Sequence, residues 1–308
     1  MKERMVYLNG SYVPESQAMI SVFDRSVQYG DAVYDAARTF GRRPFKLREH
    51  IDRLYRSCSY TRMPLRTSPD EMEKQTREVL EHNLPLLGPG DETMIWWSVT
   101  RGVSSVTRLI GESKDATVII YTFPVPFGAF AKWVTRGARV VTPATRRTPP
   151  QCLDPRAKVS NRMNHILADM EAKAADPEAY SLMLDISGNI AENSTGNFFF
   201  VRDGALCTSG AGMALEGVTR ATIFELAQAA GIPVATGEFS LFDVYLADEA
   251  FLTATSFSIL PVASVNGKAM GAGAPGPITQ ILTKRWSELV GIDIVAQALG
   301  HLTGARSQ

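Results

Sequence analysis

Lys158 has a setting in the sequence that suits covalent chemistry. It lies in the segment 154–160, just ahead of residues 163–170, where apolar side chains recur at helical spacing. A lysine amine withdrawn from water can form an imine with a carbonyl cofactor. The ordinary alternative is a lysine exposed to solvent, and position alone does not decide between the two. A second residue that fits such a cofactor is therefore needed.

Glu192 follows Lys158 by 34 residues and is a candidate for that second residue. It stands between two predicted strands, and small polar residues and then the aromatic run Phe198–Phe200 follow it. This is an unusual setting for a solvated carboxylate, although a surface glutamate at a strand end is the alternative. A buried acid keeps the ring nitrogen of a pyridine cofactor protonated, so that the ring can accept electrons. The two residues together point to pyridoxal phosphate.

The phosphate of such a cofactor needs a binding site, and Gly217 is a candidate because it immediately precedes a predicted helix. Free amides and the helix dipole bind anions at that position. Thr219 would add a hydroxyl, and residues Thr253–Ser256 would add hydroxyls and amides from a strand end. Glycine before a helix is also common as a simple turn residue, so this signal is weak alone.

Arg53 is the candidate for a charged phosphate contact, since a guanidinium binds phosphate through two parallel hydrogen bonds. It lies on a predicted helix that contains His50, Ile51 and Leu54. The alternative is an ion pair with Glu49, four residues earlier on the same helix. Neither interpretation is excluded by the sequence.

Composition favours chemistry on small molecules. The chain has 308 residues, 45% of them apolar, which is enough to bury one large core or two medium ones. Lys and Arg total 32, as do Asp and Glu, and no block of like charge suggests binding to nucleic acid or to a membrane surface. No apolar run has the length of a membrane span, and no apolar segment follows the N-terminal charges. We therefore expect a cytoplasmic enzyme.

The cysteines and histidines give no indication of a metal centre. Cys58, Cys152 and Cys207 are widely spaced and form no CxxC motif, so reduced structural thiols are expected. The four histidines lie far apart and match no ligand motif. Two stretches with a GxG pattern lack the flanking strand and helix of a dinucleotide site.

Hydrophobic spacing predicts the elements that must position these residues, beginning with an α+β domain over residues 1–122. Asn9-Gly10 predicts a hairpin turn, and Ser68 with Glu71 predicts a capping box at a helix start. The predicted elements are a hairpin over 6–13, a strand over 33–40, a helix from Leu47, a helix from Ser68 to about Asn83, and strands over 94–99 and 117–122.

A second domain is predicted over residues 138–308. Residues 123–137 fit neither the helical nor the strand period and carry turn-forming residues, so we place the connection between the domains there. The predicted elements beyond it are strands over 138–141, 182–186 and 197–201 and near Phe251 and Val262, and helices over 160–175, after Gly217 to Ala229, and from Gly276-Pro277.

Taken together, these motifs resemble the fold-type IV pyridoxal-phosphate enzymes, which include branched-chain and D-amino-acid aminotransferases, (R)-selective amine transaminases and aminodeoxychorismate lyases. The resemblance covers nearly the whole chain. The matching motifs occur along the chain in the same order as in the family: Gln28–Tyr34, Arg48–Leu54, Lys158 with Asn161, Glu192 with Asn197, Gly217–Arg220, Leu246–Glu249 and Gly276–Thr279.

The resemblance implies a transaminase with a smaller N-terminal α/β domain, a larger C-terminal domain and pyridoxal 5'-phosphate between them. It also implies a homodimer in which the partner chain helps to complete the active site. Lys158 would hold the cofactor and move protons, and Glu192 would pair with its ring nitrogen. The remaining cofactor-binding residues would be Arg53, Gly217, Val218, Thr219, Thr255 and Ser256.

The substrate-binding residues are harder to assign. Tyr34 falls where family members place an aromatic side chain beside the substrate, and Arg38 lies on the same strand face, four residues on. Arg108 replaces the carboxylate-binding arginine and histidine of D-amino-acid aminotransferases. We expect these three side chains to face the substrate. Arg108 is the preferred carboxylate ligand, because a loop arginine can accommodate donors with and without a carboxylate.

The subfamily signals are divided. Branched-chain enzymes usually have a Glu-Gly-Ile-Arg motif where this chain has Asp35–Arg38, and a tyrosine shortly after the lysine where it has Arg162. Residues 144–155 are instead similar to those of (R)-selective amine transaminases, whereas Val99–Gly102 is similar to D-amino-acid aminotransferases. The identity and handedness of the amino donor therefore stay open.

The reaction implied by the resemblance has two half-reactions. An amino acid or primary amine gives its amino group to the cofactor, and a 2-keto acid then accepts it, so the kinetics should be ping-pong. A lyase of the same fold is an alternative, and Arg162 is compatible with it. A binding protein on this fold is a further alternative, but it would more naturally lack Lys158 or Glu192.

Overall fold

The computed structural model describes residues 3–104, 109, 113 and 115–304. These residues pack into two compact units that are each built around a sheet. The first unit comprises Met1–Val125 together with Ala157–Arg162, and the second comprises Pro126–Arg156 and Met163–Gln308. The mixed α/β class expected from the sequence is confirmed.

The first unit contains three α-helices and six strands among its described residues. In chain order they are β1 (Met5–Leu8), β2 (Ser11–Pro14), α1 (Arg25–Tyr29), β3 (Ala32–Phe40), β4 (Arg43–Pro44), α2 (Leu47–Thr61), α3 (Pro69–Asn83), β5 (Thr93–Thr100) and β6 (Thr117–Pro124). Two short 3-10 turns lie at Glu15–Gln17 and Leu84–Leu86.

The strands of the first unit form one antiparallel sheet in the order β2-β1-β6-β5-β3-β4. The predicted hairpin is confirmed, and both of its turn residues, Asn9 and Gly10, have positive φ, as a tight hairpin turn requires. The capping box is also present, with Ser68 Oγ accepting from the Glu71 amide and the Glu71 carboxylate accepting from the Ser68 amide.

Helices α2 and α3 bury one face of this sheet. Their apolar side chains pack against the odd-numbered side of β3 and the matching sides of β5 and β6, and Ile51, Leu54, Met72, Ile95 and Trp97 are fully buried there. Side chains alternate along a strand, so the opposite side of β3 carries Tyr34, Ala36 and Arg38. That second face of the sheet is the one that matters for the site.

A short return of the chain brings Lys158 to the first unit. Val159 forms a β-bridge with Val33, the Tyr34 amide donates to the Lys158 carbonyl (3.0 Å), and the Ser160 amide donates to the Ala32 carbonyl (2.8 Å). Residues 157–160 thus run along the start of β3. Because they are engaged there, the following helix begins at Met163 and not near residue 160 as the sequence suggested.

The second unit contains seven α-helices and nine strands among its described residues. They are α4 (Phe127–Phe130), α5 (Trp133–Arg136), β7 (Ala138–Val141), α6 (Met163–Ala175), β8 (Tyr180–Leu184), β9 (Ile190–Asn193), β10 (Asn197–Arg202), β11 (Ala205–Ser209), α7 (Val218–Ala229), β12 (Val234–Gly237), α8 (Leu241–Tyr245), β13 (Glu249–Ala254), β14 (Ser258–Val265), β15 (Lys268–Ala269), α9 (Pro277–Val290) and α10 (Ile294–Gly304).

The sheet of the second unit is mixed, in the order β12-β11-β10-β13-β14-β7-β8-β9, with β15 paired to β14. Strands at 138–141 and 197–202 and helices α7 and α9 lie where the sequence predicted them. Glu192 was expected between strands, but it lies within β9. Glu249 fixes the start of α9, because its carboxylate accepts from the Ile278 and Thr279 amides at 2.8 Å each.

In the part of the chain that the structure describes, no helix is both long and apolar enough to cross a membrane. The same residues contain no cluster of three or more His, Cys, Asp or Glu side chains arranged to hold a metal ion. All three cysteines are free thiols, and Cys58 and Cys207 are buried.

Candidate active site

Lys158 and Tyr34 are in contact in the first unit. Lys158 Nζ lies 3.3 Å from the Tyr34 hydroxyl and 4.3 Å from the centre of its ring. The Lys158 amide donates to Ser57 Oγ (3.0 Å), and Ser57 Oγ donates to the Arg53 carbonyl (3.0 Å). The backbone of Lys158 is therefore attached both to β3 and to α2, and its half-buried side chain is directed at Tyr34.

Tyr34 is set between positive charges and an aromatic ring. Burial raises the pKa of Tyr34, but the positive charges of Lys158 and Arg162 outweigh burial and hold that pKa below its ordinary value. Its ring stacks on Trp96, with centroids 4.6 Å apart and planes 13° apart. Stacking fixes the ring, so the hydroxyl is presented to Lys158 in one orientation.

An aromatic surface continues from Tyr34 across the same side of the sheet. Trp96 on β5 contacts Tyr121 and Phe123 on β6, at centroid distances of 6.2 Å and 6.1 Å. All three side chains are half-buried. We refer to Tyr34, Trp96, Tyr121 and Phe123 as the aromatic face; it is an apolar surface that begins at the Lys158 amine.

The structure gives a different outcome for each of the three residues expected to face the substrate, Tyr34, Arg38 and Arg108. Tyr34 lies beside Lys158, as expected. Arg38 is only 3% exposed; its Nε donates to the Thr39 carbonyl (3.1 Å), and its guanidinium lies 4.1 Å from the centre of the Phe40 ring. Burial lowers the pKa of Arg38 to about 10. Arg108 lies outside the described residues.

Arg53 forms a buried ion pair, and the partner is Asp35, not Glu49. Its Nε and one Nη donate to the two carboxylate oxygens of Asp35, each at 2.7 Å, and His50 Nδ1 lies 2.8 Å from the same carboxylate. Burial raises the pKa of the Asp35 carboxyl, but Arg53 and His50 outweigh burial and hold that pKa well below its usual range. Burial lowers the pKa of His50. Arg53 is thus rigidly held at the side of β3 opposite to Tyr34.

Glu192 is buried in the second unit and accepts hydrogen bonds on both carboxylate oxygens. Arg147 Nε donates to Oε1 (2.7 Å), His165 Nε2 lies 3.5 Å from the same oxygen, and the Leu215 amide donates to Oε2 (2.9 Å). Burial raises the pKa of Glu192, but His165, Arg147 and the Leu215 amide outweigh it and bring the pKa to about 2. The carboxylate is therefore ionised at any working pH.

Gly217, Val218 and Thr219, three of the predicted anion-binding residues, lie at the start of α7. Gly217 is the N-cap of this 12-residue helix, whose first amides have no intrahelical acceptor. A Cβ at Gly217 would lie 2.3 Å from Asn197 Oδ1, and Asn197 Nδ2 donates to the Leu215 carbonyl (2.8 Å). Glycine is required for this close approach, and the Val218 and Thr219 amides are left at the helix end.

Thr255 and Ser256 form the turn between β13 and β14, next to the same group of residues. Asn197 pairs with Thr253 across the β10–β13 ladder. Thr253 Oγ1 and Ser258 Oγ, on the strands that flank this turn, are buried without a hydrogen-bond partner among the described residues. Buried hydroxyls normally have partners. These hydroxyls and the α7 amides fit the phosphate of pyridoxal phosphate.

The sequence did not predict the contacts of four polar residues around Lys158, Arg53 and Glu192. Asp35 pairs with Arg53, Arg162 contacts Tyr34, and Arg147 and His165 contact Glu192. No local motif marks them, because each is brought to its partner by long-range folding. Asp35 and Arg162 do stand at motif positions where branched-chain enzymes have other residues, and this difference is the only sequence feature that marks them.

Comparisons with known proteins agree with this chemistry. Residues 32–265 match the family model described as amino-transferase class IV. The branched-chain-amino-acid aminotransferase of Escherichia coli strain K12 is 32% identical over 294 residues, which span 91% of this chain and 90% of that protein. The enzyme of the same name from Pseudomonas aeruginosa is 30% identical over 301 residues, or 94% of each chain.

Solved structures agree as well. The crystal structure of the Escherichia coli branched-chain amino acid aminotransferase superposes with a TM-score of 0.87 at 29% identity, covering 94% of this chain and 95% of that chain. A branched-chain amino acid aminotransferase from T.th. with pyridoxamine 5'-phosphate has a TM-score of 0.85 at 31% identity, with the same coverage. These relatives are aminotransferases, so the lyase and binding-protein alternatives are not favoured. With the fold-type IV resemblance confirmed over nearly its whole length, the chain belongs to the class IV aminotransferases and is a transaminase dependent on pyridoxal 5'-phosphate.

Proposed function

We propose that this transaminase takes its amino group from an amino acid or primary amine with an apolar side chain, branched-chain amino acids among them, and passes it to a 2-keto acid. The contact between Lys158 and the aromatic face carries this proposal. Tyr34 touches the lysine amine, and Trp96, Tyr121 and Phe123 extend an apolar surface away from it. The names of the relatives, which are branched-chain aminotransferases, support the same substrate class.

The catalytic roles follow the family resemblance, and contacts within each unit support them. Bound pyridoxal phosphate supplies a ring that accepts electrons from the substrate carbon carrying the amino group. Lys158 Nζ would hold the cofactor covalently and, once released, would remove and return the proton of that carbon. The Tyr34 hydroxyl orients Nζ. The ionised Glu192 carboxylate would accept a hydrogen bond from the protonated ring nitrogen of the cofactor.

The phosphate-binding roles follow the anion-binding features of the second unit. The Val218 and Thr219 amides at Gly217, with Thr255 and Ser256 at the strand turn, provide neutral donors. Arg53 stays a predicted phosphate ligand, with one difference from the sequence-based picture. Its bidentate bond to Asp35 limits the guanidinium to one orientation, so any contact with phosphate is made by a preorganised group.

The substrate carboxylate is read by Arg162 in this proposal. Arg38 is buried and bonded within its own strand, which makes it a poor ligand for a molecule that must come and go. Arg162 is half-exposed and hydrogen-bonded to Tyr34 beside Lys158. A guanidinium there can form two parallel hydrogen bonds with a carboxylate close to the reacting amine. Arg108, which the sequence predicts as the preferred carboxylate ligand, stays a predicted ligand beside Arg162.

Arg162→Ala is expected to raise KM for a 2-keto acid about tenfold or more, because charge-assisted hydrogen bonds contribute about 1.5–3 kcal/mol. An amine without a carboxylate loses no such pairing, so its single-turnover rate should change less than about threefold. The measurement is half-reaction kinetics with L-leucine, D-leucine, both enantiomers of 1-phenylethylamine, and 2-ketoglutarate. The same panel shows whether apolar donors are preferred.

Two variants serve as controls for this measurement. Arg156→Ala removes an exposed arginine of the same loop that pairs with Asp154, and it should leave both half-reactions unchanged. Arg162→Lys keeps the charge and should restore part of the keto-acid affinity. Equal losses with the amine and the keto acid would show that Arg162 acts on Lys158 through Tyr34 and does not bind the carboxylate.

A homodimer and a cytoplasmic location complete the proposal. Three free thiols suit a reducing compartment. Helix α6 exposes Met163, Ile166, Leu167 and Met170, which recur at helical spacing, and each is at least 46% exposed. A second apolar surface, at residues 19–29, exposes Met19, Val22, Phe23 and Val27. Apolar surfaces of this kind mark protein interfaces, and the family resemblance implies a second copy as the partner.

Sedimentation equilibrium is expected to give twice the mass of the chain, and Met170→Asp should shift the protein towards the monomer, since a buried unpaired charge costs several kcal/mol. If the partner chain completes the active site, dilution into the monomer should also lower specific activity. A wild-type monomer with full activity would contradict the proposed dimer.

A further inference from the structure

Arg147 is a buried arginine that contacts the active-site glutamate, and neither the family motifs nor the sequence reasoning assigned it a role. It follows β7, and its amide donates to the Leu184 carbonyl at the end of β8 (2.8 Å). The residue is only 7% exposed. Its Nε donates to Glu192 Oε1 at 2.7 Å, which is the shortest contact of that carboxylate.

Arg147 also lines a cavity of the second unit. Among the described residues, the two Nη atoms of Arg147 form no hydrogen bond with the protein. The cavity has a volume of about 290 Å³, and its lining also includes Thr148, Gln151, Ser187 and Met213. Water can satisfy the Nη donors, whereas Nε is bonded directly to the Glu192 carboxylate.

The surroundings of Glu192 show what Arg147 contributes. The charged or titratable side chains that act on the carboxylate are Arg147 and His165, while the Leu215 amide holds the other oxygen. Burial by itself raises the pKa of a carboxyl, because the charged form loses its hydration. His165 and Arg147 both lower the pKa of Glu192. Arg147 makes the shorter contact, and this contact also fixes the rotation of the carboxylate group.

We propose that Arg147 is a positioning residue for the cofactor: it holds Glu192 as an ionised carboxylate in one orientation, with its remaining lone pairs available to the ring nitrogen. This inference rests on the proposed role of Glu192. Without Arg147 the carboxylate would lose the contact that fixes its rotation, and its pKa would rise. A protonated Glu192 carries no negative charge to stabilise a protonated ring nitrogen, so cofactor binding and turnover would then fall as the pH is lowered.

The test is Arg147→Gln, with Arg146→Gln as the matched control. Arg146 is the adjacent residue, carries the same charge and is exposed. The first readout is carbon NMR of the apoprotein with isotope-labelled glutamate side-chain carboxyls, in which the Glu192 signal is identified by its loss in Glu192→Gln. We expect the wild-type and Arg146→Gln signals to remain those of a carboxylate down to about pH 4, below the usual glutamate pKa. In Arg147→Gln the signal should titrate above that pH.

The second readout is the dissociation constant of pyridoxal phosphate as a function of pH. Arg147→Gln is expected to weaken binding about tenfold near pH 6 and less near pH 8, and Arg147→Lys should recover part of the affinity because it restores a positive charge. If Arg147→Gln does not fold, Arg147→Lys becomes the test variant. It should then give a Glu192 titration between wild type and the usual glutamate range, because lysine cannot reproduce the planar Nε contact.

The outcomes separate this inference from the function on which it rests. An unchanged Glu192 titration in Arg147→Gln, or an equal shift in Arg146→Gln, overturns the positioning role while Glu192 keeps its own. Normal cofactor binding and turnover in Glu192→Gln would overturn both. A shifted titration together with weaker binding at low pH, and partial recovery by lysine, supports the proposal.

Discussion

Lys158→Ala is expected to lower kcat for transamination about 10³-fold or more while the protein stays folded. Positioned proton transfer alone contributes about 10²–10⁴-fold, and this side chain is proposed to provide the covalent attachment as well. Its amine lies 3.3 Å from the Tyr34 hydroxyl, and the described residues around Tyr34 include no other lysine amine at hydrogen-bonding distance. The measurement is kcat for one donor and acceptor pair, with circular dichroism as the check on folding.

Two further variants make this result specific. Lys173→Ala removes an exposed lysine of helix α6 and should leave kcat unchanged. Tyr34→Phe keeps the ring that stacks on Trp96 but removes the hydroxyl, so kcat should fall moderately and the lysine should still attach the cofactor. Turnover close to wild type in Lys158→Ala would place the covalent attachment at another residue.

Glu192→Gln is expected to lower kcat about 10²–10³-fold, the size of effect seen when one preorganised electrostatic contact is lost from an active site. Glutamine has nearly the same shape but no charge, so it cannot stabilise a protonated ring nitrogen. The natural carboxylate has a pKa of about 2. Its ionisation therefore does not limit activity near neutral pH, and the variant should be slow at every pH tested.

Stability has to be measured beside this second result. Removing one partner of a buried ion pair costs about 3–5 kcal/mol, and Glu192→Gln leaves Arg147 without its carboxylate. Activities are therefore compared well below the melting temperature of each variant. Glu238→Gln is the matched control, because Glu238 is an exposed glutamate that lines the cavity beside Arg147. Wild-type activity in a folded Glu192→Gln protein would remove Glu192 from the mechanism.

Much of the fold could be predicted because its signals are local. Asn9-Gly10 marks a hairpin, Ser68 with Glu71 marks a helix start, and the strand predicted over 33–40 lies within β3. Each depends on a few neighbouring residues, and each is confirmed. The sequence motifs also led to the family that the comparisons support.

The rest could not be read from the sequence, because it depends on contacts between distant segments. Nothing around Val159 indicates that it pairs with Val33, more than one hundred residues earlier, and this pairing is what carries Lys158 to Tyr34. The sequence offered Glu49, four residues earlier on the same helix, as the ion-pair partner of Arg53, but the observed partner is Asp35 on β3. Arg147 reaches Glu192 only after β7, β8 and β9 have assembled.

Short surface elements were also missed for a physical reason. Helices α4 and α5 have four residues each, too few to show a helical period, so the sequence predicted an irregular connection over residues 123–137. The predicted domain bounds of 1–122, 123–137 and 138–308 stay predictions. The packing of Ala157–Arg162 with the first unit shows what such a linear division leaves out.

Reduction of the pyridoxal-phosphate form of the enzyme with borohydride, followed by peptide mass mapping, tests the central claim most directly. Borohydride makes the bond between the cofactor and its lysine permanent, so the modified residue can be read from the peptide mass. We expect one phosphopyridoxyl group per chain, on the peptide that contains Lys158, and none in Lys158→Ala. Modification of a different lysine in the wild-type enzyme, or an unmodified Lys158 peptide, would contradict this account.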